Sequence, residues 1–286
     1  MTLIEAEPVK RLQEYARAWS VSVAEPFETE TSVIAFGGRK DQPVVLKVIK
    51  QTGDEWHSGE ILSAFAGNGV VRVYEHVPGA VLVERLRPGN SLAELALSGR
   101  DEEATDILAG VMLRMSACSG TSQFEFCPTV HDWARAFERY LTSGDARIPR
   151  RLVGAGQRAY LDLCASQRQP RLLHGDLQHY NVLFDSHRGW LAIDPKGVIG
   201  ELEYEVGAAL RNPYENPELF ISRSTIERRL EQFTNKLNLN YERTLRWAFA
   251  QAVLSAIWLI EDGFAVNEMT PALRLAEGMQ SMLAAE

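Results

Sequence analysis

Four polar side chains stand within one short run, LLHGDLQHYNVLFDSHRGWLAIDPKG: His174, Asp176, Asn181 and Asp194. Two carboxylates and an amide are hard oxygen donors, the set that suits Mg2+ held against phosphate groups. A carboxylate at such a centre can also orient a hydroxyl and take its proton. Two apolar, strand-like pieces, 181–184 and 190–193, flank Asp185-Ser186-His187-Arg188-Gly189, which reads as a hairpin turn. Asp176 and Asn181 sit on the loop entering that hairpin and Asp194 at its far end, so the hairpin draws the three together. Taken singly, Asp176 and Asn181 are ordinary turn residues and Asp194 an ordinary helix cap. The spaced set, with a lysine-bearing strand upstream, points instead to chemistry on phosphates.

That lysine is Lys47, the only basic residue inside the β-branched run PVVLKVI. Alone, it would read as an edge-strand lysine facing solvent. Together with an aspartate, an asparagine five residues later and a second aspartate beyond a hairpin, it matches the arrangement used for phosphoryl transfer. The segment 31–40 contains Gly37-Gly38 but no GxGxxG, so it reads equally as a loop covering phosphates or as a plain hairpin turn.

The elements that must carry these residues change character along the chain. Residues 31–36, 43–49, 70–76 and 80–86 read as strands, with a turn at 37–41 and another through Pro78-Gly79. Between them 54–66 reads as a helix, with Trp56, Ile61, Leu62 and Phe65 as its apolar set. After Arg87-Pro88-Gly89-Asn90 the spacing becomes helical, with Ala104, Ile107, Leu108, Val111, Met112, Met115 and Cys118 on one face. Residues 132–141, 155–165, 224–235, 241–260 and 271–284 are further helices. The fold class is therefore α+β, a β-rich lobe over 1–86 and a mostly helical lobe over 87–286 that holds the hairpin segment 172–200. A cleft between such lobes is a common small-molecule site.

HGDLQHYNVLF resembles the HGDLHxxN signature of the aminoglycoside phosphotransferase-like family, which has the two-lobed protein-kinase-like fold. AIDPKG, HSGEILSAFAGNGVVRVYEH, VLVERLRPGNSL and GELEYEVGAALRNP resemble its streptomycin 6-phosphotransferase/hydroxyurea-type antibiotic kinase branch, over about residues 31–262. The resemblance implies an ATP- and Mg2+-dependent enzyme that phosphorylates a hydroxyl of a small polar molecule. Asp176 would orient the acceptor and take its proton, while Asn181 and Asp194 would hold Mg2+. Lys47 would contact the nucleotide phosphates and pair with Glu60, with Glu55 as the rival partner. Glu84-Arg85-Leu86 resembles the hinge, where the backbone of Glu84 and Leu86 would hold adenine. His174 would brace the loop, and Glu205, with Glu203, would cap the helical run that follows. Lys196 marks the branch and either touches a phosphate or pairs with Glu201 or Glu203. Asp132, Glu261 and Asp262, near Trp133 and Trp258, are the candidates for a cationic acceptor. Gln178 and Tyr180 depart from the family pattern, at positions that are not ligands in the template.

The 286 residues carry 30 Lys and Arg against 38 Asp and Glu, a formal net charge of -8. That balance speaks against nucleic acid or an anionic membrane as partner, since both need a basic face. Residues 1–20 lack the apolar centre of a signal peptide, and the most apolar stretch, 247–260, is shorter than the ~20 residues of a membrane span. Cys118, Cys127 and Cys164 lack zinc-site or disulfide spacing, which suggests a reduced cytoplasmic setting. The expected partner is a small-molecule acceptor, for a monomer or homodimer. No Ala-Pro-Glu segment follows Asp194, against a protein kinase. The rivals are a metabolic small-molecule kinase of the same fold, acting on a sugar, amino alcohol or fructosamine, and a catalytically silent nucleotide-binding module.

Overall fold

The computed structural model describes residues 7–117 and 124–284, so Cys118 and part of the 1–20 segment lie outside the described residues. Its first element is a helix that the strand-like reading of the first third passed over. Pro8, whose fixed φ suits a first helical turn, opens α1 (Pro8–Ala18), and Leu12, Tyr15 and Ala16 recur at helical spacing and are buried.

They pack on one face of an antiparallel sheet. Its strands are β1 (Ser22–Val23), β2 (Phe27–Glu28), β3 (Ser32–Arg39), β4 (Gln42–Ile49), β5 (Val73–Val77) and β6 (Ala80–Glu84). They run in the order β1-β3-β4-β6-β5, with β2 on β3. Side chains alternate across a strand, so Val44, Leu46 and Val48 of β4 join Leu12 and Tyr15 in one core. Val45 and Lys47 then face the other way, beside their cross-strand neighbours Val83, Ile34 and Val81. Period-2 geometry alone thus aims Lys47 away from α1.

The hairpin between β3 and β4 turns at Lys40 and Asp41, both with positive φ, the two-residue loop that matches strand twist. Gly37 and Gly38 are therefore not in the turn, as the sequence suggested, but inside β3, paired with β1 and β4. Gly37 is there because β1 crosses closely: a Cβ would lie 2.3 Å from the Ser22 carbonyl oxygen. The helix expected over 54–66 is shorter, α2 (Ser58–Ala64), and residues 51–57 form turns.

The second lobe begins with β7 (Pro88–Ser91), α3 (Leu92–Leu97), α4 (Asp101–Ser116), α5 (Val130–Trp133), α6 (Arg135–Ser143) and α7 (Arg150–Ala165). Then come β8 (Arg171–Leu173), a 3-10 turn at His179–Asn181, β9 (Val182–Asp185), β10 (Gly189–Ala192), β11 (Val198–Gly200) and α8 (Leu202–Leu210). The chain closes with α9 (Glu218–Ile221), α10 (Arg223–Leu237), α11 (Tyr241–Glu261) and α12 (Pro271–Leu283). The hairpin forms with Asp185 opposite Gly189 and Val182 opposite Ala192, and β7 pairs on its outer side. The apolar stretch 247–260 lies within α11, whose Trp247, Val253 and Leu254 are fully buried. No helix of the described residues is long and apolar enough to cross a membrane. Val70 bridges to Ala192, tying the sheet lobe to the hairpin.

Candidate active site

The loop after β8 is fixed by buried partners. His174 is fully buried. Its ring Nε2 lies 2.8 Å from the Ile193 carbonyl, which can only accept. The proton therefore sits on Nε2, and Nδ1 accepts from the Asp176 amide. Burial pushes the imidazole down to about 4, so the ring is neutral and braces rather than donates charge. The carbonyl of His174 accepts from the amides of Lys196 and Gly197, joining the loop to the chain beyond the hairpin.

Glu205 holds the loop from below. The sequence suggested a helix cap, but Glu205 lies inside α8, whose N-cap position is Glu201. Its buried carboxylate accepts from the amides of His174, Gly175 and Leu177. Burial raises it to about 7, against the pull of those three donors.

On this frame the three chemical residues converge. Asn181 Nδ2 donates to the Asp176 carbonyl at 2.9 Å, and the Ile193 amide donates to the Asn181 carbonyl at 2.9 Å. Asp176 is pushed above the usual carboxylate range by burial, with the positive charges of Lys196 and Arg211 working the other way. Asp194 adopts φ 56, a left-handed conformation that is rare for aspartate and tends to mark functional sites. Its Oδ1 lies 2.7 Å from Lys47 Nζ. Burial works against the lysine's charge, but Asp194 and Glu55 outweigh it and hold Lys47 above its ordinary pKa.

The partner on the other side of Lys47 corrects an expectation. Glu55, not Glu60, makes the ion pair, at 2.7 Å. Glu60 turns to His57 and His76, 3.4 and 3.9 Å away. The reason is the late start of α2: Glu60 falls in its first turn, whereas Glu55 lies in the preceding turns, next to β4.

Lys47 and Asp194 close one end of a cleft of about 260 Å³ between the lobes. Its walls are apolar, with Val45, Val81 and Val83 from the sheet facing Leu183 and Ile193 of the hairpin side. Residues 84–86 line its rim. The Glu84 carboxylate itself is engaged by Arg188 and by the Arg72 amide, so the side chain serves the link between lobes. Arg85 lies over the Phe36 ring, 4.0 Å from its centroid.

A second, larger cavity of about 470 Å³ is lined by Asp176. Asp132, Glu261 and Asp262 all line it, with Trp133 and Trp258 meeting edge to face at 5.4 Å. Two of those acids are already engaged. Asp132 completes a capping box with Thr129, and Glu261 takes a two-pronged ion pair from Arg139 at 2.8 and 2.9 Å. Lys196 enters the same cavity and pairs with Asp54 at 3.1 Å, not with Glu201 or Glu203. Glu201 is buried under Arg243 and Trp247 instead. Asp54 and Arg211 escaped the sequence reading, because neither carries a local motif and both reach the cavity from distant elements.

The donor set fits Mg2+. Asn181 Nδ2 is spent on Asp176, which leaves the side-chain oxygen Oδ1 for a ligand. Asp194, next in chain to the Ile193 amide that is tied to the Asn181 backbone, presents a partly exposed carboxylate. Among the described residues no group of three or more His, Cys, Asp or Glu gathers as a metal cage. Mg2+ takes one or two protein oxygens and completes its shell with substrate phosphates and water.

A family model described as aminoglycoside/hydroxyurea antibiotic resistance kinase matches residues 17–263. The chain is 35% identical to the streptomycin 3''-kinase of Klebsiella pneumoniae over 226 residues, covering 78% of this chain and 82% of that one. It is 30% identical to the hydroxyurea phosphotransferase of Kitasatospora aureofaciens over 267 residues, 88% of this chain and 73% of that one. Among solved structures, a thermostable aminoglycoside phosphotransferase in ternary complex with ADP and hygromycin B superposes with a TM-score of 0.65. That match covers 96% of this chain and 98% of the other at 16% identity, a likeness of fold.

Proposed function

Because the chain belongs to the aminoglycoside/hydroxyurea antibiotic resistance kinase family, we propose that it transfers the γ-phosphoryl group of ATP to a hydroxyl of a small polar acceptor of the aminoglycoside type. The observation that carries this reading is the Lys47–Asp194 pair at 2.7 Å, set in the inter-lobe cleft while Asp176 faces the second cavity. A nucleotide in the cleft and an acceptor in the cavity meet at the wall that these residues form.

In this reading the lobe over 1–86 serves the nucleotide and the lobe over 87–286 the acceptor. The apolar walls take the adenine against the 84–86 backbone, and Lys47 neutralises the phosphates. Asn181 and Asp194 would hold Mg2+, which supplies charge neutralisation on the phosphates. Asp176 orients the acceptor hydroxyl and takes its proton, while His174 and Glu205 keep its loop rigid. The catalytic gain is then mostly positioning and electrostatics. The relatives' names cover a streptomycin kinase and a hydroxyurea phosphotransferase, so the acceptor class is best tested directly.

The test couples ADP release to a panel of streptomycin, hydroxyurea, sugars and amino alcohols. Turnover on streptomycin or hydroxyurea, lost by at least 10³-fold in Asp176→Asn with nucleotide affinity kept, is the expected outcome. Transfer only to a sugar or amino alcohol would make the chain a metabolic kinase of this fold. Nucleotide binding with no turnover on the panel would make it a binding module.

A further inference from the structure

Lys47 accounts for positive charge on the nucleotide side of the wall, but the acceptor side holds a cation of its own. Lys196 lies two residues beyond Asp194, and the left-handed turn at Asp194 separates their directions. Asp194 faces the cleft and Lys47, whereas Lys196 lines the acceptor cavity together with Asp176. The Lys196 amide is held by the His174 carbonyl, so its backbone is fixed to the same loop that carries Asp176. One short segment thus places a carboxylate on one side of the transfer point and an ammonium on the other.

The ammonium is parked rather than buried in a structural pair. Its partner Asp54 is a turn residue with a 63% exposed side chain, 3.1 Å away. Asp176 attracts the same ammonium ahead of Asp54, so leaving the exposed Asp54 carboxylate keeps Lys196 beside Asp176. The stem runs by the Trp258 ring, with Nζ 5.9 Å from its centroid. A cation beside Asp176 suits an anion that arrives there during the reaction, while the acids elsewhere on the same cavity, Asp132, Glu261 and Asp262, are left to face a cationic acceptor.

We propose that Lys196 is a catalytic residue that leaves Asp54 to contact the transferring phosphoryl group on its acceptor side. The proposal rests on the phosphotransferase reading above. In the step, the bond from γ-phosphorus to the bridging oxygen of ADP breaks and one to the acceptor oxygen forms. The hydroxyl proton passes to Asp176. Negative charge moves from the reach of Lys47 towards the cavity, where Lys196 receives it. Arg211, held by Gln251 and lining the same cavity, adds a second positive charge near Asp176.

Calorimetry with ADP and Mg2+, with and without aluminium fluoride as the phosphoryl mimic, tests this in the absence of any acceptor. In Lys196→Met, ADP alone binds within threefold of wild type, while the fluoroaluminate complex weakens by about 10²-fold, the scale of one lost charge-stabilising donor. Lys196→Arg recovers at least tenfold of that loss. An unchanged fluoroaluminate complex in Lys196→Met would overturn the proposal, as would equal weakening with and without the mimic, which marks a nucleotide or folding role. A wild-type protein that binds no ADP would instead overturn the phosphotransferase reading, and this role with it.

Discussion

His174 gives the sharpest test of how the active-site loop is held. Its imidazole is fully buried, donating to the Ile193 carbonyl and accepting from the Asp176 amide. His174→Phe keeps a ring of similar size but leaves both groups unpaired, at ~1–3 kcal/mol each. A deficit of about 2–6 kcal/mol against wild type is therefore expected near pH 8. Acidification changes the comparison in a defined direction. The unfolded chain takes up the proton near 6.5, the folded chain only near about 4, so lowering the pH through that window favours unfolding of the wild type. Between pH 8 and pH 5 this linkage costs the wild type about 2 kcal/mol, and the phenylalanine variant escapes it. The deficit should then shrink by about 2 kcal/mol at pH 5. His179, also buried and lowered to about 3, and Glu205, raised to about 7, titrate in both proteins and cancel in the difference. Urea unfolding of the pair at pH 5, 6, 7 and 8 reads the quantity directly. A deficit that stays constant with pH, or widens on acidification, would refute the neutral, Nε2-protonated brace.

Asp194→Ala removes one of the two ion-pair partners of Lys47 and an oxygen proposed for Mg2+. Mg2+-dependent nucleotide binding should disappear, and calorimetry showing unchanged affinity would sink that role. Glu55→Gln should weaken nucleotide binding by about tenfold, whereas Glu60→Gln should stay within threefold. The opposite order would restore Glu60 as the functional partner of Lys47. Gly37→Ala forces a methyl within 2.3 Å of the Ser22 carbonyl oxygen, so β1 must shift. We expect a stability loss of about 1–3 kcal/mol, read as a lower denaturation midpoint with little change in nucleotide affinity.

What the amino-acid order determined by itself was local. Alternation in PVVLKVI fixes which face Lys47 occupies, because a strand's side chains can only alternate. The 185–189 turn between apolar pieces fixes the hairpin, and the hairpin brings Asn181 and Ile193 into register with the Asp176 loop. These follow from short-range geometry, and the motif residues stand within it. The partners of those residues were decided only by tertiary packing. Glu55 wins Lys47 over Glu60 because the turns after β4 delay the start of α2. Glu205 reads as a cap along the chain, yet it spans 31 positions back to the His174 amide. Gly37 reads as a turn residue until β1 folds against it, and Lys196 finds Asp54 across the lobes. Each such contact joins residues whose separation no local period encodes. Its geometry is set only when the sheet lobe closes on the helical lobe and the buried polar groups must find partners.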